Sequence, residues 1–312
     1  MTIDSDLTKI RRSTNRIQKA YTALETQAGD LLTQLTLRTE ERDDARHDHS
    51  VSAARVAELE AEVKRLTDLL EQDPWEPLYS TVFAVNDGWK ASTISKAHDD
   101  ARALPNNVHF TPGGLLMDAK RETTTSSTGT RHFTSSEIQG RHVEVGNYFR
   151  AAVRAAAPSI PGLRPCPLWF RPLNGNDGEI DVMENFGAQP RAMATLHTEY
   201  GTSHKMIHGP LRWPKAADAV YDYVIEKTPG RILVTIDGHT LLDAGPASPN
   251  GVPAGWPWDR IFENPDRAWY PRISVEVGCG NRAGCDTGTP PADFQSASMH
   301  VESLQIWNRR AA

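Results

Sequence analysis

The chain has few cysteines, no excess of basic charge and no long apolar run, and each shortage excludes a class of protein. Its 312 residues contain three Cys, too few for a disulfide framework. A formal net charge of −6 gives no electrostatic reason to bind nucleic acid or an anionic membrane. No apolar run approaches the ~20 residues that cross a bilayer. Residues 1–6 lack the basic-then-apolar order of a secretory signal. We therefore expect no nucleic-acid partner, no membrane insertion and no signal peptide.

Two of the cysteines, Cys279 and Cys285, lie close together in a glycine-containing stretch. In an oxidising environment they would close a small loop, and otherwise they are two free thiols. Their spacing lacks the second ligand pair that a structural zinc site needs. The sequence leaves both thiol states open and predicts no metal site there.

Proline and tryptophan are missing before Pro74, and Gly29 is the only glycine there. Apolar residues recur instead at alternating steps of four and three, which is the heptad pattern of a coiled coil. These residues are Ile3, Leu7, Ile10, Ile17, Tyr21, Leu24, Ala28, Leu31, Leu35, Ala45, Val56, Leu59, Val63, Leu66 and Leu70. At 1.5 Å per residue such a helix would be about 100 Å long. We predict a coiled-coil oligomerisation stalk over residues 1–73 and a linker over residues 74–80, where Pro74 and Pro77 disfavour helix.

A long helix folded back onto the rest of the chain is the alternative to a stalk. The apolar seam is narrow, which favours a coiled coil over a helix that packs against a core. The seam does not settle the number of chains. Val56 and Leu59 are typical of two strands, whereas Leu7 and Ile10 are typical of more. A homo-oligomer of unspecified order is therefore expected.

The remaining residues, 81–312, alternate short apolar stretches with turn residues. Residues 108–110 lead through a Thr-Pro-Gly-Gly turn into residues 115–119, and residues 221–225 lead through Pro229-Gly230 into residues 231–236. Residues 299–307 have the alternation of a last strand. Many short strands without intervening helices predict a mainly β protein, a two-sheet antiparallel sandwich of the jelly-roll, concanavalin A-like type.

Three acids stand close together in the stretch Gly-Glu-Ile-Asp-Val-Met-Glu-Asn-Phe-Gly at residues 178–187. In a regular strand Glu179 and Asp181 share one face and Glu184 points to the other. One extra residue between Asp181 and Glu184, a β-bulge near Val182 or Met183, would turn all three acids the same way. A solvated acidic edge is the plain alternative. Crowded acids repel each other, which raises at least one pKa and is typical of a catalytic site.

Glu-Ile-Asp-Val-Met-Glu resembles the signature of the family 16 glycoside hydrolases, the laminarinase, lichenase and agarase group. Further blocks similar to that family follow in the same order, at residues 107–119, 133–138, 147–153, 167–172, 195–198, 221–236 and 301–307. The resemblance covers nearly all of residues 81–312. It implies a jelly roll and a retaining endo-glycoside hydrolase that cleaves a cell-envelope or structural polysaccharide, β-1,3-glucan-like or galactan-like.

The resemblance also implies roles for the three acids. Glu179 would be the nucleophile, Glu184 the general acid/base, and Asp181 would hydrogen-bond Glu179 between them. Spacing alone leaves an inverting separation of the two glutamates open. The chemistry needs no cofactor. Some relatives carry a structural calcium far from the cleft, but Glu302 stands where their last strand has Asp, so we expect no metal.

Sugar rings stack on aromatic side chains, and four residues are candidates for binding substrate: Trp169, His197, Trp256 and Trp258. Trp169 lies in an apolar strand, so a core position is its alternative. Trp256 and Trp258 lie in a proline- and glycine-rich loop where two indoles are hard to bury. A second Trp that the family has ahead of Trp169 is absent, with Arg164 nearby, and this weakens any transfer of substrate identity.

A rival interpretation is a carbohydrate-binding tip module of a phage tail or surface fibre that keeps the fold without turnover. A stalk joined to a polysaccharide hydrolase resembles a phage tail-associated depolymerase, so we expect action outside the host cell, on a virion tail. This expectation rests on architecture alone, and a cytoplasmic enzyme stays open.

Overall fold

The computed structural model describes residues 26–34, 55–65, 74–94, 100–127, 129–175, 177–185, 192–198, 205–209, 219–278 and 288–310. The chain divides into two compact units, Met1–Pro74 and Trp75–Ala312. In the first unit, residues 26–34 (α1) and 55–65 (α2) are α-helical. Most of the heptad seam lies outside the described residues, so the coiled coil and its oligomer stay predictions. Among the described helices, none is both long and apolar enough to cross a membrane.

The second unit is built almost entirely from strands. They are β1 (Trp75–Thr81), β2 (Lys90–Ala91), β3 (Ala101–Ala103), β4 (Val108–Thr111), β5 (Gly114–Lys120), β6 (Thr124–Ser126), β7 (Gly129–Arg131), β8 (Phe133–Gln139), β9 (Phe149–Ala156), β10 (Leu163–Pro172), β11 (Glu179–Asn185), β12 (Ala192–His197), β13 (Met206–His208), β14 (Val220–Thr228), β15 (Arg231–Ile236), β16 (His239–Ala244), β17 (Trp269–Val277) and β18 (Ser296–Arg309). A 3-10 turn, Pro105–Asn107, and a short helix α3, Trp258–Phe262, complete the described elements of this unit.

Most of the strands form two antiparallel layers. β3 instead pairs in parallel with β8, and β6 and β7 form a separate hairpin. The β11 sheet has the order β13-β12-β11-β10-β17-β8, with β2 added at β8. The β18 sheet has the order β16-β15-β14-β9-β18-β5, with β4 on β5 and β1 on β18. The two layers join where β5 meets β8, through the pair Lys120 and Thr134. This arrangement confirms the predicted mainly β sandwich.

The hairpins expected from the sequence are present. β4 and β5 pair from Val108 with Met117 to Thr111 with Gly114. β14 and β15 turn through Pro229 and Gly230, and Gly230 has a φ of +72°, a conformation that favours glycine at a tight turn. The last strand, β18, also forms, and it is longer than predicted.

Residues 75–80, predicted as part of a linker, form most of strand β1 instead. β1 pairs with β18 from Trp75 opposite Arg309 to Thr81 opposite Leu304. The proline that suggested a linker, Pro77, stands where the register shifts, and a strand tolerates proline at such an irregularity. The linker prediction is therefore wrong over these residues, and the boundary of the β unit lies at Pro74.

The core lies between the two sheets and is built from alternate residues of each strand. In β9 the inward row includes Phe149 and Val153, and in β17 it includes Ile273 and Val275, all at most 1% exposed. The side chains in between point away from the core, as the period of two requires. On the β11 sheet these outward-facing rows contain the acidic motif.

One cation, Lys227, lies inside this apolar core. It follows Tyr223 and Ile225 in the inward row of β14 and has no exposed surface. Its ammonium donates hydrogen bonds to Asn147 Oδ1, at 3.0 Å, and to the carbonyl of Phe262, the last residue of α3. Burial lowers the pKa of Lys227 to about 7, although the charge of Glu263 opposes the shift. Lys227 thus ties α3 to the centre of the β18 sheet.

Replacing Lys227 by Met tests this buried charge through the pH dependence of stability. The native pKa of about 7 lies below the ordinary value of 10.5, so between these pH values the unfolded chain binds a proton that the native state has released. Stability from this group therefore rises with pH across that window. We compare the unfolding free energy of the wild type with that of Lys227→Met. Between pH 7 and pH 9 we expect the difference to change by about 1 to 2 kcal/mol in favour of the wild type.

Urea denaturation at both pH values measures the effect. Lys120→Met, at a partly exposed lysine that pairs with Asp118 at 2.9 Å, is the control and should show no such gain. A difference between wild type and Lys227→Met that stays constant with pH would contradict the assignment.

Candidate active site

A β-bulge in β11 turns all three acids to one face. Asp181 is opposite Thr195 of β12, and Glu184 is opposite Met193, so three steps on β11 match two on β12. Val182 and Met183 are both fully buried, as is Ile180, whereas the acids lie on the other face of the sheet. The predicted bulge between Asp181 and Glu184 is confirmed.

The neighbouring strand has a bulge at the same level. Cys166 of β10 pairs with Ser274 of β17, and Trp169 pairs with Arg272, so β10 also has one extra residue here. Trp169 is directly opposite Asp181 on β11. Because the two irregularities lie side by side, Arg164 of β10 stays on the same face as the acids and approaches Glu184.

Gly178 sets the start of β11. Its φ is +99°, and a Cβ at this position would lie 2.9 Å from Ile261 Cγ2 and 3.2 Å from the Trp269 ring. Its N–H donates to the carbonyl of Thr198, at 3.1 Å. Only glycine allows the chain to pass this closely under α3 and enter the strand with Glu179 on the acidic face.

Glu179 is held by an arginine. Arg171 Nη1 donates to Glu179 Oε2 at 2.9 Å, and both side chains are about 15% exposed (16% and 15%). His197 Nε2 lies 3.9 Å from the other oxygen, Oε1. The carboxylate is therefore oriented from β10 on one side and faces β12 on the other.

Asp181 and His197 form a buried acid–base pair. Nε2 of His197 lies 3.0 Å from Oδ2 of Asp181. Burial raises the pKa of Asp181, and the charges of Glu179 and Glu184 raise it further, to about 8, against the opposing effect of His197. Burial lowers the pKa of His197, but the hydrogen bond to Asp181 and the surrounding carboxylates outweigh it and raise it to about 9. The pair therefore keeps at least one proton at neutral pH.

Glu184 contacts a hydroxyl and a more distant cation. Thr195 Oγ1 donates to Glu184 Oε2 at 2.9 Å and lies 3.2 Å from His208 Nδ1. Arg164 Nε is 3.9 Å from Glu184 Oε1, longer than a hydrogen bond. The two outer acids thus have different partners, a close guanidinium at Glu179 and a hydroxyl at Glu184.

Glu179, Asp181 and His197 each present one possible metal-ligand atom, and these atoms lie within 4.8 Å of one another. A metal ion bound there would have to displace the proton that His197 holds up to a pKa of about 9. In the structure the same three side chains form a closely spaced acid–base cluster.

The four predicted sugar-binding residues have different environments. His197 lies among the acids, as described above. Trp169 is on the same face but only 5% exposed, and the Arg272 guanidinium covers its ring at 4.1 Å. Trp256 is half-buried, with its ring stacked on that of Phe262 at 6.2 Å. Lys205 Nζ donates to the carbonyl of Gly255, which ties the Trp256 loop to the chain leading into β13.

The prediction for Trp258 is wrong. This residue begins α3, is 2% exposed and packs on Phe262 at 5.0 Å. Its indole N–H donates to Glu263 Oε1 at 2.9 Å, so the polar end of the ring is satisfied inside the protein. The loop composition suggested exposure, but a single helical turn buries the side chain. Cys279 and Cys285 lie outside the described residues.

Several charged residues of the site were missed at the level of sequence. They are Arg171 beside Glu179, the ion pair of Arg164 with Glu276, and the ion pair of Arg272 with Glu137. In β17 the charged residues alternate with buried apolar ones, as in Arg272-Ile273-Ser274-Val275-Glu276. That alternation identifies a polar sheet face, but the pairing across strands needs the register.

Comparisons with known proteins agree at the level of the fold. The laminarinase catalytic domain of Thermotoga maritima is 19% identical, with a TM-score of 0.61, over 77% of this chain and 100% of that one. A non-specific endo-β-1,3(4)-glucanase of family GH16 is 21% identical, with a TM-score of 0.60, over 76% and 92%. A structure from work on endo-acting O-glycanases of human gut bacteria, which initiate mucin breakdown, is 20% identical, with a TM-score of 0.60, over 76% and 92%.

No protein-family model matches the chain, and no curated protein matches it in sequence. The structural similarity nevertheless shows that the β unit has the fold of the family 16 laminarinase catalytic domains, as the sequence resemblance implied. At this level of identity the comparison defines the class of fold, and the chemistry must be argued from the site itself.

Replacing Asp181 by Asn tests the proton held at the centre of the site. Removal of this carboxylate takes away the hydrogen bond and the nearest charge that raise the pKa of His197. We expect the pKa of His197 to fall from about 9 by at least one unit, which ¹H–¹³C NMR of the imidazole Cε1–H measures directly.

The His197→Gln spectrum assigns the resonance, and His300, which contacts the carbonyl of Gly113 outside this cluster, is an internal control. A wild-type His197 that titrates near 6.5 would contradict the proposed hydrogen-bonded pair.

Proposed function

We propose that the β unit is a family 16 glycoside hydrolase, a retaining endo-glycosidase that cleaves a polysaccharide. The observation that carries the proposal is the bulge that brings Glu179, Asp181 and Glu184 to one face of the β11 sheet. The fold shared with laminarinase catalytic domains supports it. Glycosidic hydrolysis by retention needs two carboxyl groups flanking the bond, one ionised and one protonated.

Glu179 is assigned as the nucleophile. It must attack the anomeric carbon as a carboxylate, and the hydrogen bond from Arg171 suits that ionised form. The same contact fixes the direction of the attacking oxygen, since Arg171 holds Oε2 and leaves Oε1 towards His197. A covalent glycosyl-enzyme ester then forms at Glu179 while the leaving-group oxygen takes a proton.

Glu184 is assigned as the general acid and then the general base. It donates the proton in the first step and activates water in the second, so it must exchange its proton readily. Its close partner is the hydroxyl of Thr195, which can donate or accept a hydrogen bond and so tolerates both forms. A guanidinium at hydrogen-bond distance would instead favour the ionised form alone.

Asp181 and His197 have a positioning role between the two glutamates. Their shared proton limits the negative charge at the centre of the site, which would otherwise repel an ionised Glu179. When Glu179 becomes an ester its charge disappears, and the pair can then carry more negative charge itself. The cluster thus adjusts to each step without moving a side chain.

The substrate is proposed to be a β-1,3-glucan-like or galactan-like polysaccharide. The structural neighbours include endo-β-1,3-glucanases and a structure from work on mucin-acting O-glycanases, so this fold accommodates more than one glycan. Trp256 is the best remaining candidate for stacking on a sugar ring, since its side chain keeps partial exposure while Trp258 is buried.

Release of reducing ends from laminarin, lichenan, agarose and cell-wall galactan tests the activity. Glu179→Gln should lower kcat by about a thousandfold or more, because it removes the nucleophile without changing its size. Glu184→Gln should cost about 10²–10⁴-fold, in the range of general acid–base catalysis. Glu226→Gln is the matched control, since Glu226 pairs with Arg150 at 3.5 Å on the β18 sheet and should leave the rate unchanged.

The stereochemistry of the first product distinguishes the mechanisms. Retention gives a newly formed anomer of the same configuration as the substrate, which ¹H NMR resolves before mutarotation. Inversion, or equal rates for wild type and Glu179→Gln, would overturn the assignment. A chain that binds one of these glycans and cleaves none would instead be a carbohydrate-binding module.

The heptad pattern supports a further part of this proposal, an oligomer that presents several active sites. We propose that residues 1–73 form the stalk and that the assembly acts outside the host cell, as a phage tail depolymerase would. Sedimentation equilibrium of the full chain should give at least a dimer. Val63→Glu should lower the measured mass, because a charge in the apolar seam opposes the coiled coil. A monomeric full chain would refute the stalk.

A further inference from the structure

The mechanism above does not use Arg164, a cation between two carboxylates. Its guanidinium forms an ion pair with Glu276, and its Nε lies 3.9 Å from Glu184 Oε1. The three side chains are mostly buried, with 18% of Arg164, 9% of Glu276 and 13% of Glu184 exposed. Charges at this depth interact more strongly than on a surface, because less water screens them.

The strand register explains why these side chains meet. Arg164 of β10 is directly opposite Glu276 of β17, so the two form a cross-strand pair. The bulge that follows Cys166 leaves Arg164 on the face of the acids. Glu276 therefore fixes the guanidinium from one side, and Glu184 approaches it from the other.

We propose that Arg164, held in place by Glu276, is a positioning residue that favours the ionised form of Glu184. This inference rests on the proposed function, in which Glu184 is the acid/base. Arg164 attracts Glu184 without a hydrogen bond, so the carboxyl can still bind a proton. Glu276 offsets part of the arginine charge, and so limits how strongly Arg164 favours the ionised form of Glu184.

The balance of the two charges suits a group that works in both forms. In the first step Glu184 gives its proton to the leaving oxygen, and the carboxylate that results is stabilised by Arg164. In the second step Glu184 removes a proton from the attacking water, and Glu276 keeps the guanidinium from opposing this. Each residue thus helps one half of the cycle.

Other titratable and polar groups also face Glu184, and none of them is substituted in the variants compared below. They are Glu179 and Asp181 of its own strand, Cys166 of β10, Thr195 and His197 of β12, and His208 of β13 through Thr195. Because these groups are unchanged, differences between the variants report Arg164 and Glu276.

The pH dependence of kcat/KM tests the proposal, since its alkaline limb follows loss of the acid's proton. Arg164→Gln removes the cation and should move this limb to higher pH. Glu276→Gln leaves the arginine charge without its counterion and should move the limb to lower pH. We expect shifts of about half to one pH unit in opposite directions. A purely structural role would not give shifts of opposite sign.

A second measurement does not depend on activity. A carbodiimide with an amine nucleophile modifies protonated carboxyl groups, and peptide mass spectrometry reports the extent at Glu184. Compared with wild type, Glu184 should stay reactive to higher pH in Arg164→Gln and lose reactivity at lower pH in Glu276→Gln. If no glycan is cleaved, the proposed function fails while this experiment still decides the charge coupling.

Arg154→Gln is the matched control. Arg154 of β9 also bridges two carboxylates, Asp222 at 3.1 Å and Glu302 at 2.7 Å, on the other sheet. Its loss should shift neither readout. If Arg164→Gln does not fold, the double variant Arg164→Gln with Glu276→Gln replaces it and should reverse the shift of Glu276→Gln alone. Folded variants whose readouts do not move, or move in the same direction, would overturn the inference.

Discussion

The extra residue in β11 is the constraint on which the site depends. A regular strand would turn Glu184 towards the core, where Val182 and Met183 are buried. The bulge between Asp181 and Glu184 avoids this, and a second bulge in β10 keeps Arg164 and Trp169 level with it. At each bulge the register shifts by one residue, and β11 keeps pairing with β12, and β10 with β17, on both sides of it.

The charge on the acidic face is balanced by pairing and by protons. Five carboxyl groups of the described residues lie there, and three of them pair with a guanidinium: Glu179 with Arg171, Glu276 with Arg164, and Glu137 with Arg272. Asp181 has no arginine of its own, and it is the acid whose pKa rises, to about 8. His197 then retains its proton to a pKa of about 9. Crowded acids are thus tolerated at this sheet because three of them pair with arginines and Asp181 holds a proton together with His197.

Sequence alone could predict the sandwich, two of its hairpins, its last strand, and the bulge in the acidic motif. Strand alternation and turn residues are local signals, so residues 108–119 and 221–236 could be assigned correctly. Strand β1 depends on a partner far along the chain, β18, and was misjudged. The burial of Trp258 was also misjudged, because the loop composition gave no sign of the short helix that packs it on Phe262. The ion pairs of Arg164 and Arg272 depend on register between strands. The sequence shows that these residues are charged, but it does not show which residue each one pairs with.

The position of β18 has a consequence for how the β unit is assembled during synthesis. This strand lies between β9 on one side and β5 with β1 on the other, yet it is the last described strand in the sequence. Until it leaves the ribosome, three earlier strands have open edges, and unpaired edges invite association between chains. The neighbouring nascent chains of a polysome are the nearest partners for such edges. Closure of this sheet therefore waits for β18, and the yield of folded protein depends on how quickly that strand docks.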